Sequence, residues 1–268
     1  MQFRLATWNI NSVRLRLPLV EQFVAAYKPD ILCLQEIKCL EEMFPLLPLQ
    51  ALGFPYIRVN GQAGYHGVAT LSRFPLESRG SKNFCGSGQA RHLAVSVGDA
   101  CVVIHNVYIP AGGDIPNPDE NPKFKQKLAY LASLADWSAA RAFGQSDLHI
   151  LTGDFNVAPL ENDVWSHKQL LNVVSHTPIE VEHLARLQKA GEWVDVVRRY
   201  VPEDRKLYTW WSYRARDWKI SNRGRRLDHI WTTAALAPAV KSMTVVEEAR
   251  GWQQPSDHVP VIADFQLG

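Results

Sequence analysis

The stretch QFRLATWNINSVRLRLPLVEQFVAAYKPDILCLQEIK, residues 2–38, sets the architecture. Gln2–Trp8 reads as a strand. Leu17–Tyr27 repeats at helical spacing, with Leu17, Leu19, Val20, Phe23 and Val24 on one face. Pro29–Asp30 stops that helix, and Ile31–Leu34 is a short strand, apolar throughout. From Asn9 to Glu36 the chain makes one strand–helix–strand passage, close to the size of a β–α–β unit. A strand apolar on every residue is one covered on both faces.

The same style runs to the C-terminus. Pro45–Leu52 predicts a short helix. Strand patterns at Tyr56–Val59, Gly67–Ser72, His92–Val97 and Cys101–Ile109 are separated by Gly, Asn and Asp turns. A loop rich in Pro, Gly and Asn leads into a long helix over Pro122–Arg141. Leu148–Thr152 is a strand ending at Gly153–Asp154, and one or two helices are expected over Glu161–Lys189, broken near Pro178. Tyr208–Trp211, Leu227–Thr232, Ala239–Glu247 and Val259–Phe265 read as strands. No Pro/Ser/Gly-rich linker interrupts the chain. The expectation is a single α/β domain over residues 1–268, made of two similar β-rich halves, with two sheets packed face to face and helices outside.

With 268 residues, 46% apolar and 21% charged, the chain has the balance of a soluble globular protein whose core needs no disulfide or zinc support. Cys33, Cys39, Cys85 and Cys101 form no CxxC pair and read as buried or unreactive thiols of a reducing compartment. No stretch resembles a signal-peptide core or a membrane span. The expected location is cytoplasmic, with the nucleoid, and no membrane partner is expected. A net charge of +2 argues little for a polyanion partner. The distribution argues more: KISNRGRR, Lys219–Arg226, follows the aromatic run LYTWWSYRARDW, Leu207–Trp218, and basic side chains among aromatics suit a nucleic-acid backbone with unstacked bases.

Polar clusters sit at the ends of four of the strand patterns: Asn9–Asn11 in TWNIN, Gln35–Glu36 in LQEIK, Asp154–Asn156 in GDFN, and Ser256–Asp257–His258 in SDHVP. A rigid sheet presenting carboxylate, amide and imidazole at its strand ends can build a hard-cation site beside a phosphate site. Glu36, facing Asn9 from the next strand, is a candidate oxygen ligand for Mg²⁺. Gly153 permits a tight turn. Asp154 and Asn156, as alternate residues, are expected on one side, the acid to orient a water and the amide to meet a phosphate oxygen. His258 can hold a proton or donate to a phosphoryl oxygen. Neighbouring Asp257 points elsewhere if the segment is extended, so it is expected to fix another group. Asp228, inside a strand pattern, is an expensive buried carboxylate unless paired, and His258 is its expected partner. Tyr108, ending a strand, could hydrogen-bond a phosphate. His105 and His149, in apolar runs, read as buried structural residues.

TWNINS, LQEIK, NVYIP, GDFN, RLDHI and SDHVP, in this order over the whole chain, resemble the exonuclease III family of apurinic/apyrimidinic endonucleases, within the DNase I-like endonuclease/exonuclease/phosphatase superfamily. Lys123–Lys125 (KFK) and YTWW…NRGRRLDHI resemble the exonuclease III branch in particular. The resemblance implies a four-layered α/β sandwich and a monomer. It also implies a Mg²⁺-dependent nuclease, with Mn²⁺ a substitute, acting on double-stranded DNA with abasic sites or blocked 3′ ends. In it Glu36 binds Mg²⁺ with Asn9 beside it, and Asp154 positions or deprotonates the attacking water. Asn156 and Tyr108 hold the scissile phosphate, His258 contacts the phosphoryl oxygen with Asp228 orienting it, and Asp257 is a metal-proximal acid. Asp154, Asn156 and His258 lie at the metal as well. Lys123 lies near the DNA backbone, and Trp210 and Trp211 line the pocket of a flipped-out abasic sugar.

The chain departs from the better-known bacterial members in two places. Where they carry an apolar residue just before the acid matching Asp228, it reads Gly224–Arg225–Arg226–Leu227, and Arg225 is a candidate grip on a backbone phosphate. The segment Pro159–Pro178 also differs, in a region where members differ in their preference for internal abasic sites over 3′ ends. The alternatives left open are a 3′-end-processing enzyme with little abasic-site cleavage, a phosphoesterase of the superfamily with a non-DNA substrate, and a DNA-binding protein that has lost catalysis.

Overall fold

A computed structural model describes residues 1–98, 102–141, 143–144, 146–215 and 217–268. Cys101, and with it the first residue of the strand expected over Cys101–Ile109, lies outside the described residues. Fourteen strands and seven α-helices follow one another among the described residues. The first six-stranded sheet is built from β1 (Gln2–Asn9), β2 (Ile31–Gln35), β3 (Tyr56–Asn60), β4 (Val68–Ser72), β13 (Val240–Val245) and β14 (Val261–Gln266), in the order β13-β14-β1-β2-β4-β3. The second holds β5 (Leu76–Gly80), β6 (His92–Val97), β7 (Val102–Tyr108), β8 (His149–Asp154), β9 (Val194–Asp195) and β12 (Asp228–Thr232), in the order β5-β6-β7-β8-β12-β9. A two-stranded ribbon, β10 (Trp210–Trp211) with β11 (Gly224–Arg225), stands apart from both.

The layers follow from the side chains. Leu5, Cys33 and Ala263 of the first sheet pack with Val95, Ile104, Ile150 and Ile230 of the second in one apolar core between the sheets. Outside the first sheet, α1 (Leu17–Tyr27) buries Leu19, Val20, Phe23 and Val24 against Ala6, Trp8, Leu32 and Leu34. Outside the second, α3 (Pro122–Arg141) and α5 (Pro178–Ala190) cover Val107, Leu151 and Trp231. This is the four-layered α/β sandwich the motifs implied. β2 is buried along its whole length, as its apolar run requires.

The structure corrects the secondary-structure reading in three places. β5 lacks an alternating apolar pattern because it is an edge strand, exposed after Leu76. Over residues 161–189 the chain carries only a 3₁₀ turn and the short α4 (His167–Leu170) before α5, and Pro178 starts that helix where a break was expected. Thr177 is the N-cap, and Glu180 reaches back to its N–H in a capping box, with Pro at the first helical position. Between Trp193 and Val201, β9 and α6 (Val196–Tyr200) occupy a segment too short to show a period; the Asp195 side chain caps α6. The remaining helices are α2 (Leu46–Ala51) and α7 (Trp218–Ser221). Cys33 and Cys39 are buried, and Cys85 is half-buried.

Parallel pairing places the functional strand ends together. β1 runs parallel to β2, and β7 to β8, so Asn9, Gln35, Tyr108 and Asp154 all stand at carboxyl ends. β12 runs antiparallel to β8 and begins opposite the end of β8, with Asp228 in register with Asp154.

Candidate active site

The two sheets meet at these ends through one amide. Asn9 Nδ2 lies 2.9 Å from Glu36 Oε1 and 2.9 Å from Asp154 Oδ2, joining two carboxylates from different sheets. Tyr108 Oη donates to the same Glu36 oxygen at 2.8 Å. Glu36 Oε2 pairs with Lys38 Nζ at 2.8 Å, and Lys38 also donates to Asn11 Oδ1 at 2.6 Å. Burial opposes a charge on Glu36, but Lys38 and the Asn9 amide outweigh it and hold the carboxyl below its usual range. Burial, with Glu36 adding to it, pushes the Tyr108 phenol well up, so it stays a donor.

Asp154 ends β8 after Gly153. A β-carbon at Gly153 would fall 2.0 Å from the Val107 carbonyl oxygen, so only glycine lets β8 lie this close to β7. Asp154 and Asn156 do come together, by a different route from strand alternation. Asn156 takes a left-handed φ of 54°, and its N–H donates to Asp154 Oδ1 at 2.9 Å, the geometry of an Asx turn. The two Asn156 amide hydrogens go to Ile109 O and Asp154 Oδ2, each at 3.0 Å. The amide expected to meet a phosphate is therefore committed to fixing the aspartate. Behind the turn the buried Lys127 ammonium donates to Asn156 O at 2.7 Å and pairs with the equally buried Glu180.

His258 faces Asp154 from the first sheet's side of the cleft. Its Nδ1 is 2.8 Å from Asp228 Oδ2 and its Nε2 is 3.7 Å from Asp154 Oδ2. Burial disfavours an imidazolium, but Asp228 and Asp154 together outweigh it and raise the pKa of His258 above its usual value. Burial also raises the Asp154 carboxyl, with Asp228 adding to the effect and His258 opposing it. Asp154, Asp228 and His258 offer ligand atoms within 4.8 Å of one another. With the imidazole protonated, Nδ1 donates to Asp228 and Nε2 points at Asp154, and in that state the trio holds a proton between two carboxylates. A hard cation fits better at Glu36. There the Lys38 ammonium already rests on Glu36 and Asn11 oxygens, the oxygen donor type Mg²⁺ selects.

The other residues singled out from the sequence are spread around a cleft of about 610 Å³ lined by Glu36, Tyr108, Asn156, Trp210, Asp257 and His258, among others. Asp257 fixes other groups, as its place next to His258 suggested: it accepts from Asn11 Nδ2 at 3.0 Å and from Trp210 Nε1 at 2.9 Å. Arg225 lies on the cleft wall. Lys123 is exposed at the start of α3, beside the loop of Gly113. Trp211 is not brought to the cleft: it is 1% exposed, packs in the core under α1, and donates to Asn222 Oδ1. Adjacent residues of a strand face opposite ways, so only one of the two tryptophans can reach the cleft. Sequence reading missed Lys38, although it sits two residues beyond Glu36. It also missed Thr209, whose hydroxyl donates to Asp228 Oδ2 at 2.6 Å and which carried no signal. Asn11, Glu36, Lys38 and Asn156, four of the eleven non-glycine residues with positive φ among the described residues, have φ between 48° and 54°, so the site carries part of the chain's backbone strain.

The chain matches the Endonuclease/Exonuclease/phosphatase family over residues 6–258. It belongs to that family. Among members of the endonuclease/exonuclease/phosphatase family, it is 28% identical to exodeoxyribonuclease III of Haemophilus influenzae, over 97% of this chain and 98% of that protein. It is 29% identical to a DNA repair nuclease of Danio rerio, over 96% of this chain and 80% of that protein. Among solved structures, a 3′ phosphatase from Neisseria bound to a product DNA hairpin superposes with a TM-score of 0.88 and 32% identity, covering 99% of this chain and 100% of that one. An AP endonuclease from Archaeoglobus fulgidus gives a TM-score of 0.89 and 29% identity, covering 99% and 100%. The exonuclease III resemblance read from the motifs thus holds across the chain, and with it the expectation of a hydrolase of that type.

Proposed function

We propose that the chain is a Mg²⁺-dependent DNA-repair nuclease, with Mn²⁺ a substitute. It hydrolyses the phosphodiester 5′ to abasic sites in double-stranded DNA and acts at 3′ ends as a 3′–5′ exonuclease and 3′ phosphatase. The observation that carries this reading is His258, held on Asp228 and facing Asp154 in a cleft that also contains Glu36. The relatives support DNA as the substrate class, one of them being a structure bound to a DNA hairpin. No helix among the described residues is long and apolar enough to cross a membrane. The reading places a monomer with the nucleoid.

Asp154, its carboxyl raised by burial, takes a proton from the water that attacks phosphorus. Asn9 and Asn156 hold that carboxylate in place. His258 stays protonated and donates from Nε2 to the phosphoryl oxygen as charge builds there. Asp228 keeps the imidazolium oriented and charged. Glu36, with Asn9 and the Asn11 oxygen nearby, would hold Mg²⁺, which when bound supplies positive charge to the phosphate and leaving oxygens. Tyr108 keeps Glu36 in position, and Lys123 and Arg225 reach the DNA backbone.

The test uses two duplexes, one with a single internal abasic analogue and one ending in a 3′-phosphate, each with Mg²⁺ and with EDTA. Nicking 5′ to the abasic site and release of phosphate, both lost in EDTA and in Asp154→Asn, are expected. A protein that leaves both duplexes intact with Mg²⁺ or Mn²⁺ present would overturn the proposal, and hydrolysis of a soluble phosphoinositide by that protein would move it to another substrate.

A further inference from the structure

The cleft wall beyond His258 carries two arginine–tryptophan pairs. Arg225 Cζ stands 5.1 Å over the Trp210 ring, and Arg223 Cζ stands 4.7 Å over the Trp165 ring. All four residues line the same cleft as Glu36 and His258. Arg225 is fixed from behind: its Nη1 donates to Val174 O at 2.9 Å and to Ser175 Oγ at 2.8 Å. Its Nε is buried and has no partner among the described residues. Burial lowers the Arg225 pKa and Glu180 opposes it; a guanidinium stays charged in a protein, and this one has an Nε–H left unused.

This wall is not an apolar socket. A neutral sugar turned toward the face of Trp210 would meet the guanidinium already covering it. Displacing Arg225 would cost its contact with the ring and two hydrogen bonds, and would leave a half-buried cation unpaired. A phosphate that ends the chain has no downstream sugar to place there. It brings about two negative charges and an additional terminal oxygen, the group a guanidinium binds best.

We propose that Arg225 determines specificity at this site, excluding the sugar of an internal abasic nucleotide from Trp210 and binding the terminal oxygens of a 3′-phosphate. The balance of activity therefore tilts toward phosphorylated 3′ ends. The inference rests on the nuclease reading above. In the favoured reaction water adds to phosphorus, the bond from phosphorus to the 3′ oxygen breaks, the proton from water ends on that oxygen, and inorganic phosphate leaves.

The experiment compares kcat/KM on the 3′-phosphate duplex and the internal abasic duplex, for the wild-type chain, Arg225→Leu and Ser175→Ala. The wild-type ratio is expected to favour the 3′-phosphate. Arg225→Leu should lower 3′-phosphate removal relative to abasic-site cleavage by about tenfold or more, the size of one charge-assisted hydrogen bond. Ser175→Ala, which only loosens the guanidinium, should shift the ratio in the same direction by less. A wild-type preference for the abasic duplex, or an Arg225→Leu protein that loses both activities equally while Ser175→Ala leaves the ratio unchanged, would overturn the role of Arg225. A wild-type protein inactive on both duplexes would instead remove the nuclease reading beneath it.

Discussion

Asp228 Oδ2 accepts two hydrogen bonds at once, from His258 Nδ1 at 2.8 Å and from Thr209 Oγ1 at 2.6 Å. The carboxylate is fully buried, so its orientation is set by these two donors and by little else. The imidazole it holds has one free nitrogen, and that nitrogen faces Asp154 across 3.7 Å.

Replacing Asp228 with Asn should therefore disable turnover without emptying the cleft. An amide can present its NH₂ to Nδ1 and turn the ring to the wrong tautomer, and it removes the charge that keeps His258 protonated. A fall in kcat on the order of 10²–10⁴ is expected, with KM for duplex DNA little changed. Steady-state kinetics beside a circular-dichroism check of folding decide it, and an unaltered kcat would refute the role.

Glu36 is expected to set the metal requirement. Glu36→Ala removes the carboxylate on which Lys38 and Asn9 converge. The Mg²⁺ concentration for half-maximal rate should rise by about tenfold or more, and saturating Mg²⁺ should restore only part of the rate. Lys38→Met, which frees the Glu36 oxygen from its ammonium, should lower that concentration. Metal titrations of activity in the two variants should move in opposite directions; movement in the same direction would count against a cation at this oxygen pair.

Lys127 and Glu180 form an ion pair with both side chains fully buried. Lys127→Met leaves the Glu180 charge without its partner and should cost about 3–5 kcal/mol in denaturant unfolding. The double variant Lys127→Met, Glu180→Gln should recover part of this. Recovery should be incomplete, because Lys127 also donates to Asn156 O and Ala111 O, and methionine leaves both carbonyls without that donor. Since Lys127 holds Asn156 O behind the Asp154 turn, kcat should fall in Lys127→Met even where the protein remains folded. An unaffected denaturation midpoint would show that the pair contributes nothing.

The histidines predict how stability depends on pH. Lys82 N–H donates to His92 Nδ1 at 2.9 Å, so His92 must carry its proton on Nε2 and pass a hydrogen bond to His105 Nδ1, and His105 likewise to His149 Nδ1. Burial drives His92 down to about 3, His149 to about 4, His229 to about 3 and His105 well below its usual value. These groups stay neutral in the folded chain while the unfolded chain takes up protons below about pH 6.5. Stability should therefore fall as pH drops from about 6.5 toward 4, by about 2 kcal/mol per buried histidine at pH 5. His258 runs the other way: its folded pKa is raised, so its contribution is complete below about pH 6.5 and is lost as pH rises through the folded value. Denaturant midpoints from pH 4.5 to 9 should peak near neutrality, and His149→Gln, which keeps an acceptor for His105 but cannot titrate, should flatten the acid side. A midpoint constant between pH 7 and 5 would contradict the buried, neutral row.

Much of the fold was legible because burial leaves a period in the sequence. The apolar face of Leu17–Tyr27 and the unbroken run of Ile31–Leu34 fix what must be covered, and Pro29–Asp30 marks the turn between them. Edge strand β5 and the short β9 and α6 were not legible. An exposed edge has no apolar face to advertise, and a two-residue strand has no period at all.

For the site, the sequence alone determined which strands end in carboxylate, amide or imidazole, and that Asp228 must find a partner. Tertiary structure decided the partners: Asn9 meets Asp154 145 residues away, Lys38 sits on Glu36, and the Asn156 amide is taken by Asp154 and Ile109. It also decided that Trp210 faces the cleft while Trp211 faces the core, and that Arg225 covers the Trp210 ring. Alternation along a strand separates adjacent residues onto opposite faces, but which face is wet depends on what the sheet packs against. Hydrogen-bond partners depend on distances of a few ångströms between segments that the chain order does not bring together.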